Sequence, residues 1–282
     1  MTIAPARRLW ALGEPFHALT YFADESRTAY AEAGLRGFWA GYFAGRAAPL
    51  GPVGPALVTA TFGSFAPDFV ARRVPEVWTT TPPADALTAR LAGVDAAARR
   101  ALPDWLGSPE AQEAATLARR AAEAVDVLGR PLAAANADVP WPVEPHLVLW
   151  QALTTLREHR GDGHLAVLLQ QDLLGLPALV LTAAAGTTSA DWLQKARGWS
   201  PGQWAACAEE LTGRGLLADG GLSADGVALR AAVEADTDRL ALRPWQALGA
   251  QGCDRLAELL RPVRRAVVAA GEWPAGNPIG VP

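Results

Sequence analysis

The chain has 282 residues, half of them hydrophobic and 19% charged, which is enough to bury a large core as one large or two intimately packed helical domains. Its two cysteines, Cys207 and Cys253, lie far apart without C-x-x-C spacing, so neither a disulfide framework nor a cysteine metal site is indicated and a reducing cytoplasm is expected. The formal net charge of −4 removes any overall attraction to phosphate backbones, although a local basic patch can still form.

Residues 6 to about 33 place Leu9, Leu12, Phe16, Leu19 and Tyr21 at helical spacing, with Pro15 marking a kink, and predict a helical hairpin. Arg7 and Arg8 precede this apolar stretch, but Glu14, Pro15 and His17 interrupt it, so no signal peptide is expected. A helix over 37–46 carries Phe38, Trp39, Tyr42 and Phe43 and stops at the Pro- and Gly-rich loop 47–52, after which 53–65 resumes helix. Pro67 and Pro83 each start a further helix. Two Ala-rich helices span roughly 84–102 and 109–128, and their arginine pairs, Arg99-Arg100 and Arg119-Arg120, read as solvated faces.

The Pro-rich stretch 136–142 is the best internal boundary, dividing the chain into residues 1–138 and 139–282. Beyond it, a helix over 145–160 puts Leu147, Trp150, Leu153 and Leu156 on one stripe and is expected to end at the Arg160-Gly161-Asp162-Gly163 turn, with a new helix from His164. The most apolar run, 165–185, contains Gln170, Gln171, Asp172, Gly175 and Pro177, which are costly in lipid, so no membrane span is expected. A short helix over 191–197, a helix over 202–214 capped at Ser200-Pro201, a tiny hairpin over 215–223 and a helix capped by Ser223 follow. This succession looks like a winged helix at about 187–240. An amphipathic helix over 248–270 and a tail without helical pattern complete the chain. The expected fold is thus mainly α: two packed helical halves, the C-terminal one containing a winged-helix module with a small β-wing.

Overlaying 39–62 on 150–180 brings Tyr42-Phe43-Ala44-Gly45-Arg46 near Leu156-Arg157-Glu158-His159-Arg160, a weak internal repeat that would set two related turns in two stacked halves. The run 42–51, the run Arg157-Glu158-His159-Arg160-Gly161-Asp162-Gly163-His164 and the closing segment from Gly198-Trp199 to Leu222 together resemble an actinobacterial helix-turn-helix family of MarR-like type. The near-absence of lysine, Lys195 being the only one, fits GC-rich coding of that kind. The resemblance covers nearly the whole chain and implies a helical protein with a winged-helix module; it carries over no catalytic or binding residues.

A DNA-reading second helix offers Arg, Lys, Asn, Gln or Ser to bases and phosphates. Residues 202–214 offer Gln203, Glu209, Glu210, Thr212 and Arg214, and the wing adds Asp219, so the module is net acidic and DNA binding is disfavoured. Chemistry concentrates instead around Arg157, His159, Arg160, Asp162 and His164. Here His159 and His164 could move protons, Asp162 could orient an imidazole, and the arginines could hold a carboxylate or phosphate. The bland alternative is that the glycines make the turn, Asp162 caps the next helix and the arginines sit in solvent.

His17 is a further candidate, to meet that turn in space, to serve as a single axial haem ligand, or simply to be a satisfied core histidine. The five-residue separation of His159 and His164 does not match a zinc helix, and no metal is expected. Trp39 and Trp150 could line a pocket for a flat ligand. No phosphate-loop, dinucleotide or nucleophile-elbow motif is present, and the residues name no cofactor.

The leading expectation is a small-molecule-binding winged-helix protein, an enzyme of bacterial specialised metabolism being one form of it. Its hydrophobic or aromatic ligand would lie between the halves, with His17, Trp39, Tyr42, Arg46, Trp150, Arg157 and Arg160 around it and His159, Asp162 and His164 as catalytic groups. The alternative is a MarR-like transcription regulator, a homodimer that reads a palindromic site and senses a metabolite.

Overall fold

A computed structural model describes residues 5–273. The chain is mainly helical, and among the described residues the only sheet is a two-stranded hairpin. Its first part forms α1 (Pro5–His17), α2 (Leu19–Phe22), α3 (Asp24–Glu32), α4 (Phe38–Ala47), a 3-10 turn, α5 (Pro55–Phe62), α6 (Pro67–Ala71) and α7 (Val74–Thr80). Then come α8 (Pro83–Ala101), α9 (Pro109–Ala122), α10 (Pro131–Ala137) and the long α11 (Pro145–Gln170). The last part is α12 (Leu176–Ala184), α13 (Ala190–Arg197), α14 (Pro201–Gly213), β1 (Leu217–Ala218), β2 (Gly221–Leu222), α15 (Ala224–Leu240) and α16 (Arg243–Ala269).

Local chemistry explains most of these boundaries. Helices α5, α6, α8, α9, α10, α11 and α14 begin on a proline, whose fixed φ suits the first helical position and whose missing N–H is not needed there. Ser108, Ser189, Ser200 and Ser223 accept a backbone N–H at the starts of α9, α13, α14 and α15, and Ser200 forms a full capping box with Gln203. Asp219 and Gly220, at φ 51° and 76°, make the tight hairpin turn that pairs Leu217 with Leu222.

Helix α11 is the axis of the molecule, in contact with α1, α8, α9, α10 and α15. Its apolar residues Leu149, Trp150, Leu153 and Leu156 join Leu9 and Phe16 of α1, the alanines of α9 and Leu256, Leu260 and Val263 of α16 in the largest core cluster. That core therefore draws on segments from both sides of residue 138, with α1 laid against α16. A second, aromatic cluster gathers Phe43, Phe62, Phe65 and Phe69, and a third holds α12, α14 and the hairpin together around Leu181, Leu211 and Leu216.

Three expectations need correction. The Arg160-Gly161-Asp162-Gly163 segment is not a turn: α11 passes through it unbroken. The expected N-terminal hairpin is a succession of three helices with breaks at Ala18 and Ala23, and Pro15 lies inside α1. The last helix begins at Arg243, but Gly249 breaks it at φ 81°, so the amphipathic stretch read from the sequence is its second segment. The expected tail lies partly outside the described residues. The two segments overlaid as a repeat do meet, Arg46 on Glu158, but one ends a helix and the other lies mid-helix.

Two glycines inside a helix each cost roughly 1 kcal/mol relative to alanine, so packing has to justify them. At Gly163 it does: an added Cβ would stand 2.7 Å from Nη1 of Arg130, which donates to the His159 carbonyl at 2.6 Å while Nη2 donates to the Leu240 carbonyl at 2.9 Å. At Gly161 the nearest neighbour is Glu158 Oε2 at 3.6 Å, ordinary contact. Gly161→Ala should therefore stabilise the fold by up to about 1 kcal/mol in urea denaturation. Gly163→Ala should destabilise it by about 1–3 kcal/mol. Equal responses would mean that Arg130 does not need the gap.

Candidate functional site

Because residues 157–164 are helical, successive side chains fan out by roughly 100° and the expected cluster is dispersed over different faces. His159 points to the end of α9, with Nε2 2.7 Å from Asp126 Oδ1; burial lowers its pKa, so the neutral ring donates to the carboxylate. Asp162 accepts the Ala133 N–H of α10 at 2.9 Å, and burial raises its carboxyl to about 6. His164, also lowered by burial, lies with Nδ1 2.9 Å from Thr237 Oγ1 on α15. Arg160 faces α15 as well, on Asp238 at 3.0 Å and Glu234 at 3.3 Å, with its guanidinium 4.3 Å from the Trp10 ring centre. His159, Asp162 and His164 thus each have a separate partner.

The structure does bring together His17, Tyr42, Arg46, Trp150 and Arg157. Arg46 grips Glu158 with a two-pronged fork, Nε to Oε1 and Nη2 to Oε2 at 2.9 Å each, while Arg157 Nη1 reaches Oε1 at 2.9 Å. Burial opposes ionisation of Glu158, which is 1% exposed, but the two guanidiniums outweigh it and hold the carboxyl well below the usual carboxylate range. Arg157 also reaches Glu14, which Trp10 Nε1 meets at 2.7 Å and whose carboxyl burial pushes up. Glu14, Glu158 and Arg90, none of them singled out from the sequence, complete the charged centre.

His17 stacks on Trp150 at 5.9 Å and meets Tyr21 edge-on at 5.4 Å, and the Trp150 indole donates to the His17 carbonyl at 3.0 Å. Its tautomer follows from its neighbour. Thr154 Oγ1 donates to the Trp150 carbonyl at 2.9 Å, so its lone pair accepts the Nδ1–H of His17 at 3.0 Å. Burial, reinforced by Arg157, keeps the ring neutral, and its Nε2 is a buried acceptor without a protein partner. The buried space among His17, Tyr21, Arg46, Arg90, Trp150 and Glu158 measures about 230 Å³ including its margins, but leaves free room for only about one water. A porphyrin does not fit beside His17 there.

Thr20 and Tyr21 border this space on one side and, on the other, a cleft of about 620 Å³ including its mouth, lined by Tyr30, Phe38, Gly41 and Tyr42 with Arg27 at the rim. Trp39 stands one layer outward, edge-on to Tyr42 at 5.6 Å and packed on Phe65 and Phe69. Among the described residues no three His, Cys, Asp or Glu side chains are grouped to hold a metal, and no helix is long and apolar enough to cross a membrane.

The other surface to weigh is α14. It exposes Gln203, Glu209, Glu210, Thr212 and Arg214, and Asp219 stands exposed at the hairpin tip. The nearby cations are largely occupied: Arg214 donates to the Asp172 and Gln171 carbonyls, Arg197 lies over Phe65, Arg230 reaches Thr182 and Arg239 pairs with Asp236, while Lys195 is exposed.

Residues 6–274 match the model of a helix-turn-helix family, and the chain belongs to that family. No curated protein and no solved structure matches it.

Asp162 supplies a test of these buried charges. Its carboxyl titrates near 6 in the fold and near 3.8 in the unfolded chain, so the folded state holds the proton more tightly and stability is lost as pH rises between those values. Asp162→Asn, whose amide oxygen can still accept the Ala133 N–H, removes that loss. The variant should gain roughly 2–3 kcal/mol on the wild type between pH 4 and pH 8 in denaturation curves. A pH-independent difference would show that Asp162 stays ionised without cost.

Proposed function

We propose that this helix-turn-helix protein binds a small, flat, hydrophobic or aromatic molecule in the cleft between α2–α3 and α4. The observation that carries the reading is the aromatic cleft ending at Tyr21, directly in front of a buried charged centre. Its mixture of apolar walls with a few convergent polar groups is what small-molecule sites need. Tyr30, Phe38 and Tyr42 would bound the ligand, and His17, Arg46, Arg157 and Glu158 would form the polar floor behind Tyr21. In this reading His159, Asp162 and His164 fix neighbouring helices around the site. The segment from α12 to α15 is read as a winged helix acting as scaffold, because its exposed face offers carboxylates where phosphates would approach.

Ala31 lines the cleft from the exposed face of α3, so enlarging it tests the site without disturbing the core. Ala31→Trp should weaken binding of the fluorescent probe 2-naphthol at least about tenfold, a loss of 1.4 kcal/mol, with the melting temperature unchanged. Equal binding by both proteins would remove the cleft from the account.

Membership of a helix-turn-helix family favours a second reading, DNA binding; in the form proposed here a MarR-like dimer would insert α14 into the major groove. That reading requires retention on duplex DNA that falls steeply with salt. The acidic α14 face predicts weak retention with a shallow slope.

A further inference from the structure

Arg90 lies on α8, 3% exposed, and differs from the four arginines that form ion pairs around α11. Arg46, Arg130, Arg157 and Arg160 each face a carboxylate: Glu158, Asp126, Glu14 with Glu158, and Asp238. Arg90 has no carboxylate within ion-pair distance among the described residues. Its Nη1 donates to the Gly45 carbonyl at 3.1 Å and Nη2 to Gln151 Oε1 at 3.4 Å, both neutral acceptors, while Nε has no partner and the group lies 5.1 Å from the Trp150 ring centre. A buried cation held by neutral groups alone is among the costliest arrangements a protein interior can contain.

The surroundings do not repair this. Three guanidiniums, Arg46, Arg90 and Arg157, share the two carboxyls Glu158 and Glu14; Arg46 and Arg157 already occupy Glu158, and burial favours the neutral form of Glu14. The buried centre is therefore short of negative charge. The deficit lies at the edge of the space that Thr20 and Tyr21 separate from the aromatic cleft.

Resting on the cleft reading above, we infer that Arg90 is the receptor for an anionic oxygen of the ligand, so that the molecule bound here is an aromatic carboxylate whose ring lies in the cleft and whose acid end passes Tyr21. One carboxylate oxygen takes the free room beside Arg90, and its charge completes the pairing that the protein leaves open. A neutral ligand of the same shape would leave the cation uncompensated.

Formate, the smallest carboxylate, can put one oxygen in the free room beside Arg90 without a ring to seat in the cleft, whereas benzoate and benzamide differ in charge but share a ring that needs the cleft. Melting temperatures of the full chain and of Arg90→Met are compared with each added. Met keeps much of the apolar stem and removes the unpaired charge, so the variant should fold. Formate should raise the melting temperature of the wild type more than that of the variant, and calorimetry on the wild type should show benzoate binding roughly tenfold or more tightly than benzamide. Equal formate responses, or equal affinities for benzoate and benzamide, would overturn the anion site, and binding of both ring compounds would leave the cleft standing. An Arg90-dependent formate effect without binding of either ring compound would refute the cleft and uphold the anion site. Should Arg90→Met fail to fold, the wild-type comparison of benzoate with benzamide decides alone.

Discussion

Helix α11 carries its charges inside the molecule, and each must be met by a particular group on a particular neighbour. Glu158 is met by Arg46 of α4, Arg157 by Glu14 of α1, His159 by Asp126 after α9, Asp162 by the α10 backbone, and Arg160 by Asp238 of α15. His146 and Gln151 extend the series to Asp95 and Arg90 of α8. Apolar burial drives these helices together but tolerates sliding and rotation, whereas a buried charge that loses its partner costs several kcal/mol. The series therefore fixes how each surrounding helix meets the axis, and it ties the beginning of the chain to its end.

The same constraint shapes the candidate site. Where a carboxylate faces the group, as Asp238 does Arg160 and Asp126 does His159, the pair serves to hold helices. Between α1, α4, α8 and α11 the accounts of charge and hydrogen bonding stay open: Arg90 lacks an anion, and His17 is a neutral ring with a bare acceptor atom. Aromatic side chains of α2, α3 and α4 frame a cleft in front of that opening. The segment from α12 to α15 packs around an apolar cluster that it shares with Val167 and Leu168 of α11, and α14 turns glutamates outward. On the reading proposed above, the exposed face of α14 offers carboxylates where phosphate contacts would need cations.

Much of the helical framework was legible in the sequence, because its signals are local. Prolines and serines start the helices from α8 onward, and Asp219-Gly220 marks the hairpin. At Arg160-Gly161-Asp162-Gly163 distant packing overrides the local rule: Gly163 admits Arg130, which arrives from much earlier in the chain. Of the residues picked out beforehand, His17, Tyr42, Arg46, Trp150 and Arg157 meet in space. Arg90 went unnoticed although it sits on the apolar stripe of Ala86, Gly93 and Ala97, and a charge on such a stripe is the signal that would have found it. Glu14, which interrupts an apolar run in the sequence, carries the same signal. Which carboxylate meets which arginine depends on long-range geometry that spacing does not encode.

The most direct test of the account is native mass spectrometry of the protein purified from its own host, followed by denaturation and analysis of whatever is released. The account predicts a retained small anionic molecule with an aromatic ring, one per chain. A protein at its bare chain mass that is retained on duplex DNA with steep salt dependence would contradict it, and would place the function in α14 instead of the charged centre around α11.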